Sequence, residues 1–180
     1  AVTISALPYL FNSSAIQLIV FATIFIHFAK RVLESLFLHK YSGPIGTFTT
    51  FMIAGFYSLA EYLIGYLNRQ PLQFMDIWFY LGTILFVLGI IGNFIHHKIL
   101  ANLRKNTLDY IIPAGGLFNF VVCPHYLFEI TAWLGIFLVS RHLASLLILL
   151  FIIGYLTARS IRTLKWYQEK FSEFPASKKA

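Results

Sequence analysis

Apolar residues in this chain come in long blocks separated by short polar punctuation, rather than in the alternation of a half-buried sheet. Five blocks approach the roughly 20 residues that a helix needs to cross a bilayer: 15–38, 47–67, 74–95, 117–139 and 143–158. Asn12, Ser13 and Ser14 stand where a cap for the first helix is expected. H-K-Y-S-G-P-I-G at 39–46 and N-R-Q-P at 68–71 read as connections rich in turn residues. The third block does not stop cleanly, and its helix is expected to run on through His97 to Arg104. A polar connection over 105–116 ends in Pro113-Ala114-Gly115-Gly116. The fourth block is interrupted by Cys-Pro-His-Tyr at 123–126, which predicts a helix broken by its proline. A break at membrane depth is tolerated where it lines a cavity. Residues 159–174 form an amphipathic, basic tail. The pattern predicts an all-α, multi-span membrane protein of about five transmembrane helices. Nothing repeats, so residues 1–180 read as one domain.

Composition agrees. The chain is 58% hydrophobic and 12% charged, about half the charge of a soluble domain. A net charge of +7 raises nucleic acid as a partner, but the basic residues flank spans instead of forming a polar surface. Twelve of the 14 Lys and Arg residues lie at the ends of the first, third and fifth spans, leaving Arg69 and Arg141 on the other side. The positive-inside rule places the basic ends in the cytosol, where they also meet anionic lipid. One cysteine, Cys123, excludes a disulfide framework. The opening A-V-T-I-S-A-L-P-Y-L has neither an initiator Met nor a basic leader, as expected of a fragment or a shortened form.

Polar residues inside the spans carry the candidate chemistry. His27, Arg31 and Glu34 fall on one helical face of the first span. Such groups face a protein interior or a watery cavity, unless the helix simply emerges at Lys30 into the headgroups. Tyr57, Tyr62 and Tyr66, near Glu61, form an interfacial belt or line a pocket. Asn93, His97 and Arg104 lie within about 40° on one helical stripe. With Lys105 and the Gly115-Gly116 turn, this stripe suits a phosphate-bearing cofactor entering from the cytosol. The competing reading is an interfacial helix end whose cations meet lipid phosphates. His125 and Glu129, one turn apart, can pair with each other or share a ligand. His96 and His97 diverge by about 100°, so a metal site is not expected. No G-x-G-x-x-G and no G-x-S-x-G occurs.

Four stretches resemble the steroid 5α-reductase family, including its very-long-chain trans-2-enoyl-CoA reductase relatives. They are H-F-A-K-R-V-L-E-S-L-F-L-H-K-Y-S at 27–42 and G-N-F-I-H-H-K-I-L-A-N-L-R-K at 92–105. The others are Y-I-I-P-A-G-G-L-F-N-F-V-V-C-P-H-Y-L-F-E at 110–129 and K-W-Y-Q-E-K-F-S-E-F-P at 165–175. The resemblance implies a membrane enzyme of the endoplasmic reticulum, its cofactor site facing the cytosol. It implies NADPH-dependent reduction of a carbon–carbon double bond conjugated to a carbonyl, in a steroid or an acyl-CoA. It implies cofactor-binding roles for Arg31, Asn93, Arg104, Tyr110, Glu129, Arg159 and Tyr167. His97 and His125 stand at cofactor-site positions, and Lys178 stands where a basic residue is usual. The family's first block begins H-Y, with the tyrosine as proposed proton donor, whereas this chain has His27-Phe28. The spans that precede that block in the family have no counterpart here. His27 and Tyr62 are the candidates to replace the donor, so His27 and Phe28 mark the expected catalytic position. Two alternatives stand beside the reductase: an impaired NADPH-binding relative, supported by Phe28, and a membrane S-adenosylmethionine-dependent methyltransferase, whose R-H-P-x-Y-x-G-like block is partly echoed by C-P-H-Y-L-F-E.

Overall fold

The computed structural model describes residues 15–38, 46–67, 75–103, 110–175 and 177–180. The expected cap at 12–14, most of the first two connections, and Arg104 and Lys105 fall outside these residues, as do the side chains of Tyr57, Glu61 and Tyr66. Helix α1 is Ala15–Leu33 and continues as a π-helical turn, Glu34–Leu38. Helix α2 is Thr47–Leu67, α3 is Ile77–Leu103, α4 is Pro124–Ser140 and α5 is Leu143–Lys170. A short 3-10 turn, Gly116–Asn119, precedes α4. The described residues contain no strand, only an isolated parallel bridge between Val121 and Lys179.

Three of these helices, Ala15–Leu38, Ile77–Leu103 and Leu143–Lys170, are long and apolar enough to cross a membrane. Their outward faces carry large apolar side chains, among them Ile84, Leu88, Leu147 and Phe151, each about half exposed. Such a coat suits lipid rather than water. The protein is an all-α integral membrane protein. The other two expected spans correspond to α2, of 21 residues, and α4, of 17.

Helices α3 and α4 are packed backbone to backbone in antiparallel fashion. A Cβ on Gly89 would lie 2.4 Å from the Ala132 nitrogen, and one on Gly135 would lie 2.5 Å from the Phe86 nitrogen. Without a hydrophobic driving force in lipid, close approach through small residues is what holds such a pair together. Its far end is locked by Arg141, which closes α4 in the left-handed region at φ 49°. The Arg141 guanidinium binds both oxygens of Asp76 at 2.6 and 2.7 Å. Asp76 in turn caps α3 by accepting the Phe79 amide at 3.1 Å. Hydrogen bonding from Arg141 holds the Asp76 carboxyl below its ordinary range. The core lies where α1 and α5 pack against this pair, around Ile24, Phe86, Trp133, Ile136 and Leu149.

Two expectations are revised. The fourth block is broken at Pro124 as expected, but its first half is a short 3-10 turn rather than a length of α-helix. The 3-10 turn ends, and α4 begins with Pro124 in its first turn, where the missing N–H costs nothing. The fifth span and the basic tail are a single 28-residue helix, since no Gly or Pro intervenes between 155 and 170. The chain then turns back. The Val122 amide donates to the Lys179 carbonyl, and the Lys179 amide to the Phe120 carbonyl, both at 2.9 Å.

Candidate functional site

The polar face of α1 turns inward. His27 and Glu34 are each only 3% exposed, so the emerging-helix reading does not hold for them. Four ionisable groups within two turns would be costly at this depth if unpaired, and each finds a partner. The Lys30 ammonium reaches Glu34 Oε1 at 2.8 Å and also donates to the Asn93 side-chain carbonyl. Arg31 lies 3.4 Å from Glu34 Oε2 and 3.2 Å from His97 Nε2. A guanidinium can only donate, so His97 accepts through Nε2 and is neutral. His27 Nε2 lies 3.3 Å from Glu129 Oε1.

The other helices complete the cluster. Asn93 on α3 donates through Nδ2 to the His125 backbone carbonyl at 2.7 Å, tying α3 to the first turn of α4. The His97 and His125 rings are 5.0 Å apart between centroids, and His125 lies 4.3 Å from the Tyr126 ring. His96 serves the backbone. Its Nδ1 bonds the Gly92 carbonyl at 2.7 Å, and its Nε2 accepts the Leu117 amide at 3.2 Å. That second bond seats the Gly115-Gly116 turn. Gly116 has φ 54°, and a Cβ there would meet His96 Nε2 at 3.0 Å, so glycine is required twice over.

A second cluster lies at the same end of the α3–α4 pair. Tyr167 is buried and stacked on Phe171 and Phe174 at 5.9 and 5.4 Å. The Tyr110 and Trp166 rings meet edge to face at 4.9 Å, with the Lys170 ammonium 4.4 Å above Tyr110. The Arg159 guanidinium lies 5.8 Å over the Tyr126 ring and donates to the Tyr155 hydroxyl at 3.0 Å. Tyr126 therefore touches both clusters. Lys178 is buried and donates to the Pro113 carbonyl at 3.0 Å, and burial pushes its ammonium below the usual lysine range.

Of the expected site residues, His27, Arg31, Asn93, His97, His125 and Glu129 meet in one network, while Tyr110, Arg159, Tyr167 and Lys178 belong to the second cluster. Arg104 falls outside the described residues. Phe28 is buried with its ring 6.3 Å from that of Trp133. One expected pairing is redistributed. Glu129 pairs with His27 across helices, not with His125 one turn away. Sequence reasoning passed over Lys30, placed Glu34 on the polar face of the first span without giving it a role, and missed Tyr126 as a site residue. The Lys30–Glu34 spacing of i, i+4 was the available signal for the first two.

A profile of the 3-oxo-5-alpha-steroid 4-dehydrogenase family matches residues 44–180. The very-long-chain enoyl-CoA reductase of Dictyostelium discoideum is 30% identical over 159 residues, covering 86% of this chain and 53% of that protein. The 3-oxo-5-alpha-steroid 4-dehydrogenase 1 of Mus musculus is 31% identical over 167 residues, covering 89% and 66%. The polyprenal reductase 1 of Oryza sativa subsp. indica is 34% identical over 115 residues, covering 62% and 32%. The chain thus spans between a third and two thirds of the length of these relatives.

Proposed function

Because the chain belongs to the 3-oxo-5-alpha-steroid 4-dehydrogenase family, we propose that it takes part in NADPH-dependent reduction of a carbon–carbon double bond conjugated to a carbonyl in a lipid. The relatives named above are a steroid dehydrogenase, an enoyl-CoA reductase and a polyprenal reductase. Their names point to lipid substrates, and a 3-oxo-Δ4 steroid or a trans-2-enoyl-CoA is the class we propose for this chain.

The observation that carries the reading is a set of buried cation and amide groups suited to a nicotinamide dinucleotide phosphate. Lys178 is the clearest member. Its ammonium is buried against a carbonyl, and among the described residues no carboxylate pairs with it. An ammonium in that state fits a phosphate. His125 adds a buried Nδ1 with no hydrogen-bond partner among the described residues. Arg31, Asn93, His97, His125 and Glu129 are the groups we assign to the nicotinamide end. Arg104, Tyr110, Arg159, Tyr167 and Lys178 are assigned to the phosphates and adenosine. NADPH, when bound, supplies the hydride for the reduction. The chain's own residues hold and orient: Lys30 fixes the Asn93 amide, Arg31 fixes the His97 tautomer, and the apolar shell around Trp133 excludes water. The site faces the cytosol of an endoplasmic reticulum membrane in this reading, since the basic residues gather at its end.

NADPH titrated against the purified chain in lipid nanodiscs is expected to quench tryptophan emission with saturation below about 1 mM, the upper end of ordinary cofactor KM values. A signal that never saturates, or equal saturation by S-adenosylmethionine, overturns the reading. Saturable binding without enone reduction identifies the impaired relative that Phe28 favours.

A further inference from the structure

Resting on the reductase reading, we infer that His96 is a positioning residue for the cofactor site. It acts through the Leu117 amide and the Phe118 ring, which together fix where the His125 imidazole stands. His125 is the group that needs placing. Its Nδ1 is buried and has no hydrogen-bond partner among the described residues, and a buried polar atom left this way calls for a reason. The Asn93 amide holds the His125 main-chain carbonyl, not the ring. The ring is placed by what packs on it: Tyr126 at 4.3 Å, His97 at 5.0 Å and Phe118 at 6.1 Å between centroids. Tyr126 belongs to α4 and His97 to α3. Phe118 comes from the short 3-10 turn, so its place depends on what seats that turn.

His96 is built as the seat. A backbone amide can only donate, so Nε2 accepts the Leu117 N–H at 3.2 Å, and the ring proton sits on Nδ1, which donates to the Gly92 carbonyl at 2.7 Å. The Phe128 ring from α4 stacks on the imidazole at 5.1 Å and 25°. Gly92 makes room for it, because a Cβ there would lie 2.3 Å from Phe128 Cδ1. Phe118, only 1% exposed, packs on the His96 ring at 5.5 Å and so bridges His96 to His125.

The turn otherwise closes on itself. The Gly115 amide bonds Asn119 Oδ1 at 3.0 Å, and the Phe118 amide bonds the Gly115 carbonyl at 3.2 Å. What ties it to α3 is the Leu117 amide on His96. Helix α3 thereby controls both parts of His125: its main chain through Asn93, and its ring through His96 and Phe118.

The test separates the two ring bonds. A Gln side chain puts its oxygen near the Nε2 position, and an Asn side chain puts its amide near the Nδ1 position. His96→Gln therefore keeps an acceptor for Leu117, whereas His96→Asn keeps only the bond to Gly92. Both lose the stacked ring, so a difference between them reports the Leu117 bond and not packing. The full chain, with ¹⁵N-labelled histidine in lipid nanodiscs and no cofactor, is expected to show His96 Nε2 unprotonated at neutral pH. Leu117 amide exchange is expected to rise about tenfold in His96→Asn, the worth of one hydrogen bond, and to stay near wild type in His96→Gln. The His125 ring signals should move in His96→Asn and return in His96→Gln. NADPH affinity is expected to fall about tenfold in His96→Asn and to stay within about threefold in His96→Gln. A protonated Nε2 in the wild-type chain, equal behaviour of the two variants, or His125 signals that do not follow Leu117 exchange overturns the assignment. So does an unchanged affinity in His96→Asn where the wild type saturates. The first three readouts use the cofactor-free chain and the wild-type Nε2 needs no variant, so they stand apart from the reductase reading, which fails instead if NADPH never saturates the wild type.

Discussion

Lys178 poses the sharpest question of any single residue. It buries an ammonium against a main-chain carbonyl, with burial holding its pKa down. A lysine whose folded pKa lies below its unfolded value costs stability at neutral pH. That cost lifts only as pH rises towards the ordinary value of about 10.4. Within the described residues its returns are the Pro113 carbonyl and the Phe174 ring, and under the proposed function a phosphate would add a full counter-charge. Lys178→Met is therefore expected to leave the Tm unchanged or raised, while weakening NADPH binding by about 10- to 100-fold, the worth of one charge-assisted hydrogen bond. A lower Tm with unchanged affinity would show the ammonium to be a structural strut. The candidate residues stood out in the sequence because charge inside a greasy helix is conspicuous. Their partners were not. His27 and Glu129 lie 102 positions apart, and Glu129 had a nearer histidine by spacing. Only the antiparallel placement of α4 beside α1 and α3 decides which imidazole its carboxylate meets.

At the scale of elements, the molecule turns on how closely α3 and α4 approach. A methyl group on Gly89 would meet the Ala132 backbone at 2.4 and 2.7 Å, and backbone atoms cannot rotate away. The two helices would have to separate, and with them the Asn93–His125 bond that joins them at the site. Gly89→Ala is expected to destabilise the protein by about 1–3 kcal/mol and to weaken NADPH binding. Gly154→Ala is its control. No atom lies within 4 Å of a Cβ there, so relief of the helical glycine penalty should stabilise by up to about 1 kcal/mol. Thermal unfolding of both variants in one detergent checks the pair, and equal effects would contradict the packing account. The long apolar blocks made α1, α3 and α5 readable. The break before α4 was readable but its form was not, because a proline in an apolar run signals either a kink or a first turn. The choice depends on the Gly115-Gly116 turn being seated by His96, a contact between segments that local pattern does not encode.

For the whole molecule, charge and fold reinforce each other. Asp76 and Arg141 close one end of the α3–α4 pair. Lys30 beside Asn93, Lys170 beside Tyr110 and Lys178 beside Pro113 gather at the other. The candidate site thus lies at the end where these cations gather, and under the proposed function a soluble dinucleotide reaches it from the compartment that end faces. The positive-inside rule predicts that this compartment is the cytosol. The single cysteine gives a clean way to measure it. In a Cys123→Ser background, a cysteine at Lys179, exposed at the cationic end, should react with a membrane-impermeant maleimide in sealed microsomes of cytosol-out orientation. A cysteine at Leu143, 69% exposed just beyond Arg141, should react only after permeabilisation. In the same intact microsomes, external NADPH should protect the Lys179 position at concentrations that quench tryptophan emission, because the Lys179 backbone is bonded to Phe120 and Val122 beside the site. The opposite labelling pattern would invert the topology and place the site where cytosolic NADPH cannot reach it.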